Sequence, residues 1–223
     1  MLHLIFADSE IERIPAVMWK DRDVLIQARK RRKPASGIIL DSSLLHSAID
    51  RFFPGESIRR GRPSIFYITL NVLQSSLLNL AGGLNVLVHT RNDELITISP
   101  ETRLPKSYNR FLGLIEDLFE KGSIEYDGKV LMSFKTGISL KSVLDRFACR
   151  KILMHPKAEK KRVSEIIKNT EDLAVIIGGF SNGDFISDVS YIDERYSIYG
   201  DELTIWTVAG MLVHAFESQS GLL

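Results

Sequence analysis

The stretch Leu173-Ala174-Val175-Ile176-Ile177-Gly178-Gly179-Phe180-Ser181-Asn182-Gly183-Asp184 decides the fold. An unbroken apolar run from Leu173 to Ile177 passes straight into a loop with three glycines in six residues. Such a run reads as a buried strand, and the glycines expose backbone where it must approach a flat ligand or another segment closely. Taken alone, the loop reads equally as a tight turn after a strand.

Working outward, Leu2 to Ala7, Gly37 to Leu40, Leu84 to His89 and Lys151 to Met154 read as further strands, and Ile65 to Leu70 is rich in β-formers. Helical patterns fall between them, at Ala16 to Ala28, Ser43 to Phe53, Gln74 to Leu80, Lys157 to Lys168 and Glu202 to Ser218. Asp41 or Ser42 is placed to cap the second of these, Pro54-Gly55 stops it, and Gly82-Gly83 ends the third. This alternation predicts an α/β fold with a mostly parallel sheet covered by helices. The pattern changes after Asp93. Leu95 to Ile98 pairs back on Leu84 to Val88 through Arg91-Asn92-Asp93, and Ile124 to Phe134 reads as a hairpin broken by Asp127-Gly128. Between them Ser107 to Lys121 is a helix whose Phe111, Leu114, Ile115, Leu118 and Phe119 form one apolar stripe. The middle of the chain is therefore expected to be α+β.

Composition narrows the class. With 223 residues, 44% hydrophobic and 26% charged, the chain suits a single domain over 1–223. No apolar run is long enough to cross a bilayer, no signal pattern opens the chain, and the lone Cys149 permits no internal disulfide, so a reducing, cytoplasmic setting is expected. His3, His46, His89, His155 and His214 show no paired spacing, so no metal is expected. The net charge of +1 hides basic clusters at 29–33, 59–62 and 157–162. Each of these alone is more often a solvated surface than a nucleic-acid site. A Gly-x-Gly-x-x-Gly turn after the first strand and a phosphate loop are both missing, which argues against dinucleotide and nucleotidase chemistry.

In open α/β sheets ligands sit outside the carboxyl ends of the strands. That directs attention to the loops His89-Thr90-Arg91, Gly178 to Asp184 and Tyr196 to Asp201.

Six ordered stretches carry a resemblance: Leu40-Asp41-Ser42-Ser43; Arg60-Gly61-Arg62-Pro63; Ser75 to Gly82 with Val86 to Thr90; Pro100 to Leu114; Ile176 to Asp184; and Tyr196 to Val208. In these the chain resembles the Nep/Emg family of ribosome-biogenesis methyltransferases, of archaeal type, within the SPOUT superfamily. The resemblance implies a C-terminal trefoil knot, which sequence patterns cannot reveal, and makes the region at about 91–150 a family-specific insertion. It further implies a homodimer and N1-methylation of a pseudouridine in small-subunit (16S) ribosomal RNA, with S-adenosylmethionine as donor and S-adenosylhomocysteine as product. It implies no role for a metal, a membrane or DNA. By the same resemblance the cofactor contacts fall on Gly178, Gly183, Tyr196, Ser197, Ile198, Tyr199, Gly200 and Asp201, and the RNA contacts on Arg62, Arg103, Lys106 and Arg110. Ile177, Ile198 and Leu203 are suited to an apolar adenine slot, and Lys106 and Arg110 are spaced for one helix face.

Three departures stand out. Ser64 replaces the aspartate that usually orients the arginine at position 62, Gln74-Ser75-Ser76-Leu77 replaces an acidic-Ser-Pro stretch, and Tyr199-Gly200-Asp201-Glu202-Leu203 replaces a tighter Tyr-Pro-Leu turn. The resemblance names no general base. The implied reaction chiefly needs alignment and the loss of one N–H proton. A dimer seam is expected on the last helix, where Leu203, Trp206, Thr207, Gly210, Met211 and His214 recur at helical spacing. Two other readings remain open, since a fold does not fix a function: an assembly factor that binds RNA without catalysis, and a knotted methyltransferase acting on a different nucleoside.

Overall fold

Every residue of β1 (Leu2–Ser9) is buried, as expected of a strand covered on both faces. The computed structural model describes residues 1–168 and 170–223. β1 lies between β2 (Leu84–Thr90) and β7 (Leu173–Gly178), parallel to both. Beyond β7 follow β6 (Arg150–Lys160) and β8 (Glu194–Ser197), again parallel. On the other side β3 (Glu94–Ile98), β5 (Lys129–Thr136) and β4 (Ser123–Tyr126) extend the sheet by antiparallel pairing. The sheet has eight strands in the order β4-β5-β3-β2-β1-β7-β6-β8, mostly parallel with the expected α+β block at one end.

One face carries α3 (Pro63–Gln74), the short α4 (Leu77–Leu80), α5 (Tyr108–Lys121), α7 (Val163–Ile166) and α8 (Ile205–Gln219), packed around Phe6, Phe66, Phe111 and Phe216. The other face is closed by α6 (Leu140–Leu144) and by Ile192. α1 (Arg22–Arg31) and α2 (Ser42–Phe52) fold over a separate core of Met18, Val24, Leu40 and Ile49.

Several local expectations are corrected. Ile65 to Leu70 is helical within α3: Pro63 opens the helix, and Ile65, Phe66, Thr69, Leu70 and Leu73 are buried at helical spacing, so packing overrides β propensity. Gly37 to Leu40 forms no strand; a 3-10 turn ends at Gly37 and a single bridge joins Ile39 to Arg13. The helix expected from Ala16 starts at Arg22, where Asp21 accepts the amides of Asp23 and Val24. That expected at Gln74 to Leu80 is split between the end of α3 and α4. Instead of a helix from Lys157, β6 continues to Lys160 because Glu159 and Lys160 pair with Tyr196 and Ser197 of β8, leaving only Val163–Ile166 helical. β8 itself was not anticipated, and α8 begins at Ile205 rather than Glu202.

Candidate functional site

β6, β7 and β8 run parallel, so their carboxyl ends open on one edge of the sheet. There the loops at 178–185 and 196–203, with Met154-His155-Pro156, surround a cleft holding about 750 Å³ of empty space, its open mouth included. Of the residues expected to contact a cofactor, Gly178, Gly183, Tyr196, Ser197, Ile198, Tyr199 and Asp201 line this cleft, while Gly200 does not. Ile177, Ile198 and Leu203 line it as well. The walls thus combine an apolar slot with loop backbone, a combination suited to a flat heteroaromatic group.

The glycine loop is anchored near its middle and at its far end. At its far end the buried Asp8 carboxylate accepts the amides of Ile186 and Ser187 at 2.7 and 2.9 Å. Nearer the middle, Ser181 Oγ donates to the Ile58 carbonyl at 3.0 Å, and Arg59 Nη1 donates to the Asp184 carbonyl at 2.7 Å. Gly183 turns the loop at φ +85°, in the left-handed region, where a side chain would also press on the Arg59 guanidinium. On the opposite wall Ser197 is buried and its hydroxyl donates to the Tyr199 carbonyl at 2.6 Å, which tightens the turn.

One titratable pair stands at the cleft. His155 and Asp184 both line it, with Nε2 and Oδ1 3.2 Å apart. The Lys157 amide donates to His155 Nδ1, which leaves Nε2 to carry the proton that faces the carboxylate. The Phe185 amide, assisted by His155, holds the Asp184 carboxyl below the usual carboxylate range against the opposing effect of partial burial. Met154, His155 and Pro156 were missed because a helix was expected from Lys157. The signal available was the apolar run before them, which ends at the same sheet edge as Ile177.

The third loop singled out, His89-Thr90-Arg91, does not line the cleft. His89 is buried and its Nε2 meets Asp93, while Arg91 Nη1 donates to Glu10 at 3.0 Å. That loop belongs to a buried ionic network along the chain that follows β1. Glu10 takes Arg59 Nε at 2.8 Å, and Glu12 holds Arg60 through two hydrogen bonds of 2.8 and 2.9 Å. Burial pushes the Glu10 carboxyl up, and the two arginines pull it back. Two arginines of the 59–62 cluster are therefore consumed internally. In the 29–33 run, Arg31 pairs with Glu116 and Lys33 with Glu116 and Asp117. Asp8, Glu10 and Glu12 were not legible as a group, since nothing in the sequence says that these acids fold inward.

Of the expected RNA contacts, Arg62, Lys106 and Arg110 lie where α3 and α5 begin, and Arg103 lies in the segment that leads into α5. Arg62 is the N-terminal flanking residue of α3, and its Nη1 faces Ser42 Oγ at 3.4 Å. Ser64, at the position of the usual orienting aspartate, is exposed and makes no hydrogen bond to Arg62 among the described residues; the nearby hydroxyl is that of Ser42. Asp41, next to Ser42, accepts the Tyr108 hydroxyl at 2.6 Å, which ties α5 to the start of α2. Burial and then Asp41 push the Tyr108 hydroxyl far above the ordinary tyrosine range. Arg103, Lys106 and Arg110 are exposed at this end. Lys106 precedes the α5 N-cap, so it shares no helix face with Arg110; its carbonyl instead accepts the Tyr67 hydroxyl.

A mostly parallel sheet, a cleft at the carboxyl ends of its parallel strands and a doubly anchored glycine loop define an α/β protein built to hold a small molecule. The EMG1/NEP1 methyltransferase family matches residues 4–217, and the chain belongs to it. It is 54% identical over 224 residues to the ribosomal RNA small subunit methyltransferase Nep1 of Thermoplasma volcanium, with 100% of both chains covered. To the protein of the same name from Thermoplasma acidophilum it is 51% identical over 223 residues, again with 100% of both covered. Its fold matches Archaeoglobus fulgidus Nep1 bound to S-adenosylhomocysteine with a TM-score of 0.87, at 30% identity over 98% of each chain.

Proposed function

We propose that the protein transfers a methyl group from S-adenosylmethionine to N1 of a specific pseudouridine in small-subunit (16S) ribosomal RNA, as a step in small-subunit biogenesis. The observation that carries this reading is the convergence of Gly178, Gly183, Tyr196, Ser197, Ile198, Tyr199 and Asp201 on one cleft. The cleft suits the donor, since Ile177, Ile198 and Leu203 offer an apolar slot for adenine and the glycine loop offers backbone polar groups. Bound there, S-adenosylmethionine supplies an electrophilic methyl group and leaves as S-adenosylhomocysteine. The chain's own work is alignment: Asp8 and Arg59 fix the loop that lines the cleft. Among the described residues no cluster of three or more His, Cys, Asp or Glu is arranged to hold a metal ion.

Arg62, Arg103, Lys106 and Arg110 are the proposed RNA contacts. Three are exposed cations, and arginine can grip a phosphate through two bonds or stack on an unpaired base. A homodimer completes the reading. Its proposed face joins Trp206, Thr207, Gly210, Met211 and His214 on α8 to the exposed Ile68 and Val72 on α3 and Leu77 and Leu80 on α4; Leu203 belongs to the cleft instead. A contiguous apolar surface of this kind is what a closed two-fold interface covers. A C-terminal trefoil knot, an insertion at about 91–150 and a cytoplasmic location form part of the same proposal. No helix among the described residues is long and apolar enough to cross a membrane.

Titration calorimetry with S-adenosylhomocysteine and with a pseudouridine-bearing RNA hairpin tests the reading. Saturable binding of both is expected. Binding of RNA alone favours the non-catalytic assembly factor, and donor binding with preference for an unmodified hairpin favours a different nucleoside.

A further inference from the structure

We infer that Arg59 is a positioning residue that couples the RNA-facing segment to the donor loop, so that RNA and donor bind cooperatively; the inference rests on the reading of the cleft as a methyl-donor site. Arg59 lies in the bend that leads into α3, three residues before Arg62. Its Nε donates to the fully buried Glu10 at 2.8 Å, and the other Glu10 oxygen is taken by Arg91 at 3.0 Å, so the base of the side chain is fixed. From this base the guanidinium reaches across to the donor loop. Nη1 donates to the Asp184 carbonyl at 2.7 Å, and the group lies 4.4 Å over the ring of Phe180. Both Phe180 and Asp184 line the cleft.

A second link runs through the backbone. The Arg62 amide donates to the Glu10 carbonyl at 2.9 Å, and the Glu10 amide donates to the Gly179 carbonyl at 3.1 Å. Arg62, a proposed RNA contact, is thus joined to the donor loop through one residue, and Arg59 joins the same bend to the loop's other side. Nη2 of Arg59 is buried without a hydrogen-bond partner among the described residues. The element with two states is the loop at 178–187, either held against the bend or released from it while Asp8 keeps its far end. A phosphate that firms the bend at Arg62 favours the held state, and the held state is the one that encloses the donor. Linkage is reciprocal, so the donor must then favour RNA by the same factor.

The test is calorimetric titration of S-adenosylhomocysteine, with and without saturating pseudouridine hairpin, into wild type, Arg59→Ala and Arg59→Lys. In the wild type RNA is expected to tighten S-adenosylhomocysteine binding about tenfold. Arg59→Ala should weaken S-adenosylhomocysteine alone by about tenfold and reduce the RNA effect to about threefold, since the backbone link through Glu10 remains, while RNA affinity in the absence of donor stays within about twofold. Arg59→Lys keeps the charge beside Glu10 but lacks the fork that bridges to Asp184, so it should bind the donor with intermediate strength and reduced coupling. If Arg59→Ala does not fold, the lysine variant decides by the same criterion. Unchanged donor affinity and unchanged coupling in the folded variants overturn the inference, as does a wild type that binds both ligands independently. A wild type that binds no S-adenosylhomocysteine overturns the methyltransferase reading and this inference with it.

Discussion

Asp8 and Ser187 stand 179 residues apart, and the Ser187 hydroxyl donates to Asp8 Oδ1 at 2.6 Å. Asp8 Oδ2 takes the amides of Ile186 and Ser187, so one buried carboxylate at the end of the first strand closes a loop that belongs to the seventh. Asp8 adopts φ 52°, in the left-handed region that aspartate tolerates better than most residues. Asp8→Ala should leave these donors without their partner and lower stability by about 1–3 kcal/mol. Donor affinity should fall with it. A urea midpoint equal to wild type, together with undiminished S-adenosylhomocysteine binding, would show that the loop does not depend on Asp8.

A side chain at Gly178 would meet the ring of Phe180, with Cβ 2.7 Å from Cζ. The neighbour that must yield is the far end of a side chain in the cleft wall rather than backbone. Gly178→Val is therefore expected to keep the fold and lose the thermal shift that S-adenosylhomocysteine gives the wild type. Normal donor binding by this variant would place the donor elsewhere.

For RNA, Arg103→Ala, Lys106→Ala and Arg110→Ala should each weaken hairpin binding by about 1–3 kcal/mol and flatten its salt dependence by about one counterion. S-adenosylhomocysteine affinity in the absence of RNA should not change. Neutralising the 29–33 run is the comparison, because Arg31 and Lys33 already face Glu116. Loss of binding only in the 29–33 variant would move the RNA site to α1.

The Asp184 carboxyl lies below the usual carboxylate range. A group whose value is depressed in the folded state adds stability above its unfolded value, and that stability disappears as pH falls through the folded one. Asp184→Asn should therefore be slightly less stable than wild type at neutral pH, with the gap closing in acid. The side chain is 65% exposed, so the gap should stay below about 1 kcal/mol. Denaturation midpoints across a pH series check this. A gap that widens in acid would mean that the pairing with His155 and Phe185 does not form.

The central strands and the glycine loop were legible in the sequence because their causes are local. Leu173 to Ile177 shows no polar alternation, Asp127-Gly128 is a hairpin turn, and the stripe on α5 keeps one period throughout. The failures have tertiary causes. Ile65 to Leu70 carries β-formers, yet it is helical because α3 packs on α8 and the sheet, and Lys157 to Lys160 is strand only because β8 is there to pair with it. On the site side, Gly178 to Asp184 could be located since a strand leads directly into it. Arg59 and Arg60 looked like free cations, and their partners Glu10 and Glu12 are 49 and 48 residues away. No local pattern records such pairings.

The most direct measurement is mass spectrometry of a pseudouridine-bearing small-subunit RNA hairpin after incubation with the protein and S-adenosylmethionine, followed by nucleoside analysis. The expected result is the mass of one added methyl group per hairpin, recovered on N1 of the pseudouridine and absent from a hairpin with uridine at that position. A protein that binds S-adenosylhomocysteine yet leaves the hairpin unmodified, or methylates the uridine hairpin equally well, would contradict the assignment.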